Sequence, residues 1–229
     1  MITEVIETPR GQMLNLHHDH NSPRRRAGDL GHDREISQVR DWLSQIASPV
    51  FLDVGAHNGL FCVNVQDLCS RIYAWEPQRI VFNLLAGTIA LNSWTHVWAY
   101  WGALGASSGE IPIPSYNYSQ GANFGGIELG CPSSGGDGVG QSRAEWNGET
   151  APLRTLDSYN FQQADVIKID VEGMEMDALR GGVETILRLR PRLLIEHSKV
   201  GIGLLQDWLR DYGYRCADLG GDLACEVAR

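Results

Sequence analysis

The chain has 229 residues, enough for one domain with a sizeable core and some excursions. Its composition, 43% apolar and 21% charged, excludes a disordered chain and fits a folded globule. The formal net charge of −9 argues against a broad phosphate-backbone footprint, so no nucleic-acid partner is expected.

Residues 1–34 are interrupted by Pro9, Gly11, Pro23, Gly28 and Gly31 and read as an N-terminal extension to a domain over 35–229. Residues 1–12 lack a basic start followed by an apolar run, so no signal peptide is expected. No apolar stretch reaches membrane-spanning length, and no membrane partner is expected. The basic run Arg24-Arg25-Arg26 reads as solvated surface. His17-His18-Asp19-His20 invites a metal reading, but adjacent residues rarely converge on one ion, and no metal site is expected. The five cysteines (Cys62, Cys69, Cys131, Cys216, Cys225) are odd in number and none is spaced CxxC. A reduced, cytoplasmic setting is therefore expected.

A strand-then-helix rhythm follows. Ile36, Val39, Trp42, Leu43 and Ile46 recur at helical spacing and predict a helix over 34–46. Val50 to Val54 is a short apolar run of the buried parallel-strand type. A turn at 55–59 and a helical pattern to about Cys69 come next. Arg71 to Trp75 is a second strand, closed by Glu76-Pro77. Ile80, Val81, Leu84, Leu85 and Ile89 give the next helix one apolar face, and His96 to Trp101 reads as a third strand. From Gly105 to about Pro152 the rhythm stops, with a glycine-rich stretch at Gly130 to Gly148, and 105–152 reads as a loop excursion that suits acceptor binding. Val166 to Asp170 resumes the pattern, followed by a helix from about Met174, a strand at Arg192 to His197 and a helix ended by Gly213. Tyr214 to Arg229 reads as an antiparallel pair around Gly220-Gly221 at the sheet edge. Alternating strands and helices predict an open α/β sheet with helices on both faces, which binds ligands at the carboxyl ends of its strands. Asp53, Glu76, Asp170 and His197 fall at those ends.

Gly55 and Gly59 in Gly-Ala-His-Asn-Gly allow a tight turn and close approach of a ligand to the main chain. The turn is not GxGxxG. Glu76 ends the second strand, where an acid accepts ribose hydroxyls of an adenosine. Asp53 suits the ammonium and sulfonium of S-adenosylmethionine and would repel a pyrophosphate.

With these segments in view, the chain resembles the FkbM family of S-adenosylmethionine-dependent methyltransferases. The resemblance rests on Phe51 to Gly59, Tyr73 to Pro77, Gly102 to Gly105, Thr155 to Tyr159, Ile167 to Glu175 and Arg190 to Glu196, in the family's order. It implies a Rossmann-like, class I sheet of seven mostly parallel strands with an antiparallel last strand. It also implies that Asp53, Gly55 and Asn58 lie near the methionyl part of the cofactor, Glu76 on the ribose and Ala103 near the adenine. His57 falls where the family varies and is a further cofactor candidate.

The expected reaction is methyl transfer to a hydroxyl of a sugar or polyketide-like small molecule. A base would lie at the sheet's carboxyl edge. Asp170, Glu172 and His197 are the catalytic candidates, and Asp170 also faces the cofactor. Asn123, Gly125, Glu172 and Glu196 are the acceptor-site candidates, with Tyr116, Tyr118 and Trp146 as flanking rings suited to a sugar face. Two alternatives are an NAD-dependent oxidoreductase, disfavoured by the missing GxGxxG, and a non-catalytic binding module, disfavoured by ionisable residues at four strand ends.

Overall fold

The computed structural model describes residues 3–114, 116–129 and 149–228. The leading segment, unread at the level of sequence, is an antiparallel hairpin of β1 (Thr3–Thr8) and β2 (Gly11–Leu16) followed by a short helix, α1 (Ser22–Arg26). Helix α2 (Asp33–Ser44) buries Ile36, Val39, Trp42 and Leu43, the stripe that predicts it. The regular alternation then runs β3 (Val50–Val54), α3 (Leu60–Val65), β4 (Arg71–Glu76), α4 (Arg79–Leu91) and β5 (Val97–Trp101).

The expected loop excursion begins and ends in strands. β6 (Ala103–Leu104), β7 (Gly109–Pro112) and β8 (Thr150–Arg154) form a small separate sheet in the order β6-β8-β7. Short strands with Gly and Pro at their ends give too little periodicity to be read from sequence. Residues 130–148, and Cys131 and Trp146 within them, lie outside the described residues.

The chain continues with β9 (Val166–Ile169), α5 (Glu175–Arg180), α6 (Val183–Leu189), β10 (Arg192–Glu196), α7 (Ile202–Asp211), β11 (Tyr214–Asp218) and β12 (Asp222–Val227). The single helix expected from Met174 is thus two, broken at Gly181-Gly182. Gly181 cannot carry a side chain, because a Cβ there would stand 2.0 Å from the Gly105 carbonyl oxygen.

The main sheet has seven strands in the order β11-β12-β10-β9-β3-β4-β5. All neighbours from β10 to β5 are parallel, and β12 is antiparallel to both β10 and β11. The expected antiparallel pair lies at the sheet edge, with its second strand, β12, inserted between β10 and β11. β3 and β9 are buried at every position, as continuous apolar runs demand. Successive residues of these strands alternate between two cores. Leu52, Val54, Ile167 and Ile169 face one, and Phe51 and Val166 face the other with α2 and α3.

Cys216 and Cys225 are directly opposed across β11 and β12 and form a disulfide. This departs from the expected reduced set; cross-strand register, invisible in the spacing, brings them together. Among the described residues no helix is long and apolar enough to cross a membrane.

The N-terminal hairpin is stitched onto the sheet domain by side chains. Asn92 Oδ1 accepts from Gln12 N at 2.8 Å and Asn92 Nδ2 donates to Gln12 O at 2.7 Å, as a neighbouring strand would. Asn58 Nδ2 donates to Leu14 O at 3.0 Å and to Asn15 Oδ1 at 3.2 Å. Asn58→Ala removes buried bonds and is expected to cost about 1–3 kcal/mol of stability, read from urea unfolding. An unchanged midpoint would show that the hairpin does not depend on this contact.

Candidate functional site

A cleft of about 270 Å³ opens at the carboxyl ends of β3, β4 and β9, where the strand order reverses direction. Its inner end is the turn after β3. Gly55 adopts φ +82°, and a Cβ there would stand 1.8 Å from the Asp170 carbonyl oxygen. The turn therefore packs against the backbone leaving β9, which only glycine permits.

Register places Lys168 of β9 opposite Asp53 of β3. Its ammonium donates to Gly55 O at 2.8 Å and lies 3.2 Å from Asp170 Oδ2 and 3.6 Å from Asp53 Oδ1. Burial alone would lower the Lys168 pKa, but Asp170 and Asp53 outweigh it and hold the pKa raised.

Glu76 closes β4. Its two oxygens accept from His57 N at 3.0 Å and Gln78 N at 2.8 Å, so it shapes the glycine turn while lining the cleft. Burial pushes its pKa up to about 7 against those bonds. His57 is half-buried with its Nε2 sealed from solvent, and desolvation lowers its pKa to about 4, so its ring is neutral.

Beyond β9 the chain turns through Glu172 at φ +55°, a strained conformation for a non-glycine residue. Glu175 caps this turn, accepting from Val171 N and Gly173 N, both at 3.1 Å. Glu172 is ion-paired to Lys199 at 2.6 Å, and Lys199 also donates to Gly126 O at 3.2 Å. Glu196, at the end of β10, accepts from the Ser198 hydroxyl through Oε1, while its buried Oε2 has no partner among the described residues. Burial, then Asp170 and Glu172, push the Glu196 pKa up to about 8.

The structure brings most sequence candidates together. Gly55, His57, Glu76, Ala103, Asn123, Gly125, Asp170, Glu172 and Glu196 all line the cleft. Three candidates do not. Asp53 is fully buried behind Lys168, because its position in β3 has the parity of Phe51. Asn58 is buried and spent on the hairpin. His197 turns away, with Nε2 3.1 Å from Asp218 Oδ1 and its backbone N–H on Gly221 O.

The flanking rings also differ from expectation. Tyr118 packs on Phe124, with ring centroids 4.9 Å apart, and Tyr116 joins the same apolar cluster instead of the cleft wall. Gln78 Nε2 donates to Phe124 O at 2.9 Å, which fastens the Asn123–Gly126 segment over the cleft.

Sequence reasoning missed Gln78, Trp75 and Arg25 as cleft residues. Arg25 corrects the reading of its basic run as solvated surface, because it is only 6% exposed. The pairing of Asp19 with Arg25 at 3.7 Å and of His17 with Glu4 at 3.2 Å absorbs two members of the histidine-rich run.

The cleft fits S-adenosylmethionine in its chemistry. Val54, Trp75, Ala103 and Leu104 supply apolar wall for an adenine, and Glu76 supplies acceptors for ribose hydroxyls. Asp170, Glu172 and Glu196 give an acidic rim suited to a cationic sulfonium. The unpartnered Oε2 of Glu196 leaves unused acceptor capacity on that rim.

A family model, the methyltransferase FkbM domain, matches residues 53–216. A methyltransferase FkbM from Methylobacillus flagellatus KT is structurally similar, with 15% identity and a TM-score of 0.58, covering 90% of this chain and 52% of its own. Trm5b from Pyrococcus abyssi is similar at 12% identity and TM-score 0.55, covering 99% of this chain and 56% of its own. An rRNA methylase from Streptococcus thermophilus is similar at 11% identity and TM-score 0.51, covering 85% and 96%. The chain spans about half the length of the first two. No curated protein matches it significantly.

The buried carboxyls make stability pH-dependent. Glu76 and Glu196 hold their protons more tightly folded than unfolded, with pKa values of about 7 and about 8 against 4.5. Their contribution is complete below pH 4.5 and is lost as pH rises through those values. His57, depressed to about 4 from 6.5, works oppositely, but only below pH 6.5. The melting temperature of the ligand-free protein should therefore fall between pH 6.5 and 8, and Glu196→Gln should flatten that fall. A melting temperature rising across this window would contradict the assignment.

Proposed function

The chain belongs to the FkbM-domain family of S-adenosylmethionine-dependent methyltransferases, and we propose that it methylates a hydroxyl group on a sugar or polyketide-like small molecule. When bound, S-adenosylmethionine supplies a methyl group already activated by its sulfonium. The protein's own task is then to orient both reactants, exclude water and accept one proton.

Glu76 holds the ribose through the oxygens that also fix the turn, so cofactor binding and turn geometry are coupled. Asn123 and Gly125, fastened over the cleft by Gln78 and Lys199, meet the acceptor. The acidic rim of the cleft suits a small hydroxylated acceptor better than a phosphate-rich polymer.

The observation that carries the choice of base is the unpartnered Oε2 of Glu196. Asp170 and Glu172 each face a lysine ammonium, which makes them weaker bases. Among the described residues Glu196 is paired with none, and its pKa of about 8 lies near the working range for proton abstraction. We therefore assign the acceptor's proton to Glu196 Oε2, with Glu172 positioning the acceptor.

Titration calorimetry should give micromolar-range binding of S-adenosylhomocysteine. Glu76→Ala should weaken that binding at least about tenfold. Unchanged binding in a variant of normal melting temperature would remove Glu76 from the site. Glu196→Gln should lower kcat by about 10²–10⁴-fold with little effect on S-adenosylhomocysteine binding. The wild-type rate should rise with pH to an apparent pKa no higher than about 8. A screen of labelled methyl incorporation should mark hydroxyl acceptors; label entering only amines or RNA would overturn the hydroxyl reading.

A further inference from the structure

Arg25 lies on α1, outside the matched residues 53–216, yet it forms part of the cleft wall. A cation so buried normally has its donors engaged. Arg25 Nη1 donates to Asn15 Oδ1 at 2.7 Å and stands 3.7 Å from Asp19 Oδ1. Asn15 is held in turn, its Nδ2 donating to Ser22 Oγ at 2.7 Å. Among the described residues the buried Nε has no partner, and no hydrogen bond engages Nη2. The Nε–Nη2 edge is one that can grip a carboxylate through two parallel bonds. The guanidinium is thus pinned from one side with a carboxylate-binding edge unused.

His57 supplies a matching group. Its Nδ1 lies 3.1 Å from Asn58 Oδ1, and the Asn58 amide nitrogen is already donating to Leu14 O, so Asn58 Oδ1 accepts and Nδ1 carries the proton. That leaves Nε2 as an acceptor, and it too is buried without a partner among the described residues. Both residues line the same cleft, and Arg25 is close enough to act electrostatically on His57. An unused donor edge and an unused acceptor on one cleft match a zwitterionic α-amino acid. We propose that Arg25 anchors the α-carboxylate at the methionyl end of the methyl donor, with His57 Nε2 accepting from its ammonium. The proposal rests on the methyltransferase reading and makes the N-terminal extension part of the cofactor site.

Calorimetry on the full chain tests it with three probes: S-adenosylhomocysteine, its decarboxylated analogue, and 5′-methylthioadenosine, which lacks the amino-acid end. Wild type should bind the first roughly 10- to 100-fold tighter than the second, the range of a charge-assisted pair. Arg25→Gln should bring those two within about threefold of each other and leave 5′-methylthioadenosine binding unchanged. A variant that keeps the wild-type preference overturns the proposal, as does one that weakens all three probes equally. Wild type binding all three alike overturns it without any variant, and would leave Arg25 to a carboxylate on the acceptor. Wild type binding none of the three fails the methyltransferase reading itself.

Discussion

The site depends on one buried ammonium. Lys168 bridges the ends of β3 and β9, touching the Gly55 carbonyl and standing within 3.6 Å of two carboxylates. A buried lysine and a buried acid, with a half-buried acid beside them, form a costly group unless paired. Here the pairing also has a mechanical result. It holds the glycine turn against the backbone leaving β9, with too little room at Gly55 for even a methyl group. The floor of the cleft is therefore a clamp between two strands rather than a loop.

The clamp also divides labour among the acids. Asp53 and Asp170 are committed to Lys168, and Glu172 to Lys199. Glu175 is committed to backbone N–H groups. Among the described residues Glu196 keeps an unpartnered oxygen and no ion pair, so burial and its acidic neighbours raise its pKa. One crowded rim thereby contains both fixed anions and a group able to exchange a proton near neutral pH.

Much of the main sheet was legible because its strands are short and apolar, and its central ones are buried on both faces. Val50 to Val54 is recovered to the residue, and its neighbours within a residue or two. The small sheet of β6, β7 and β8 was not, because Gly and Pro interrupt its strands and no alternation persists. The hairpin was hidden for another reason. Its attachment combines Ile6, Met13 and Leu16, buried against distant helices, with isolated polar side chains, Asn58, Thr88 and Asn92, which bind its backbone. The disulfide between Cys216 and Cys225 likewise follows from pairing register rather than spacing.

The sequence by itself determined the succession of main-sheet strands along the chain, the glycine turn and the presence of acids at strand ends. These are local properties of periodicity and backbone freedom, written in adjacent residues. Only the tertiary structure decided which acids are spent and which are free. Asp53 and His197 stand at strand ends as expected, yet one is sealed behind a lysine and the other points to Asp218. Arg25, one of three consecutive arginines, turns inward while Arg24 and Arg26 stay exposed. Pairing, burial and access depend on register between strands and on packing across long separations, and no run of neighbouring residues encodes them.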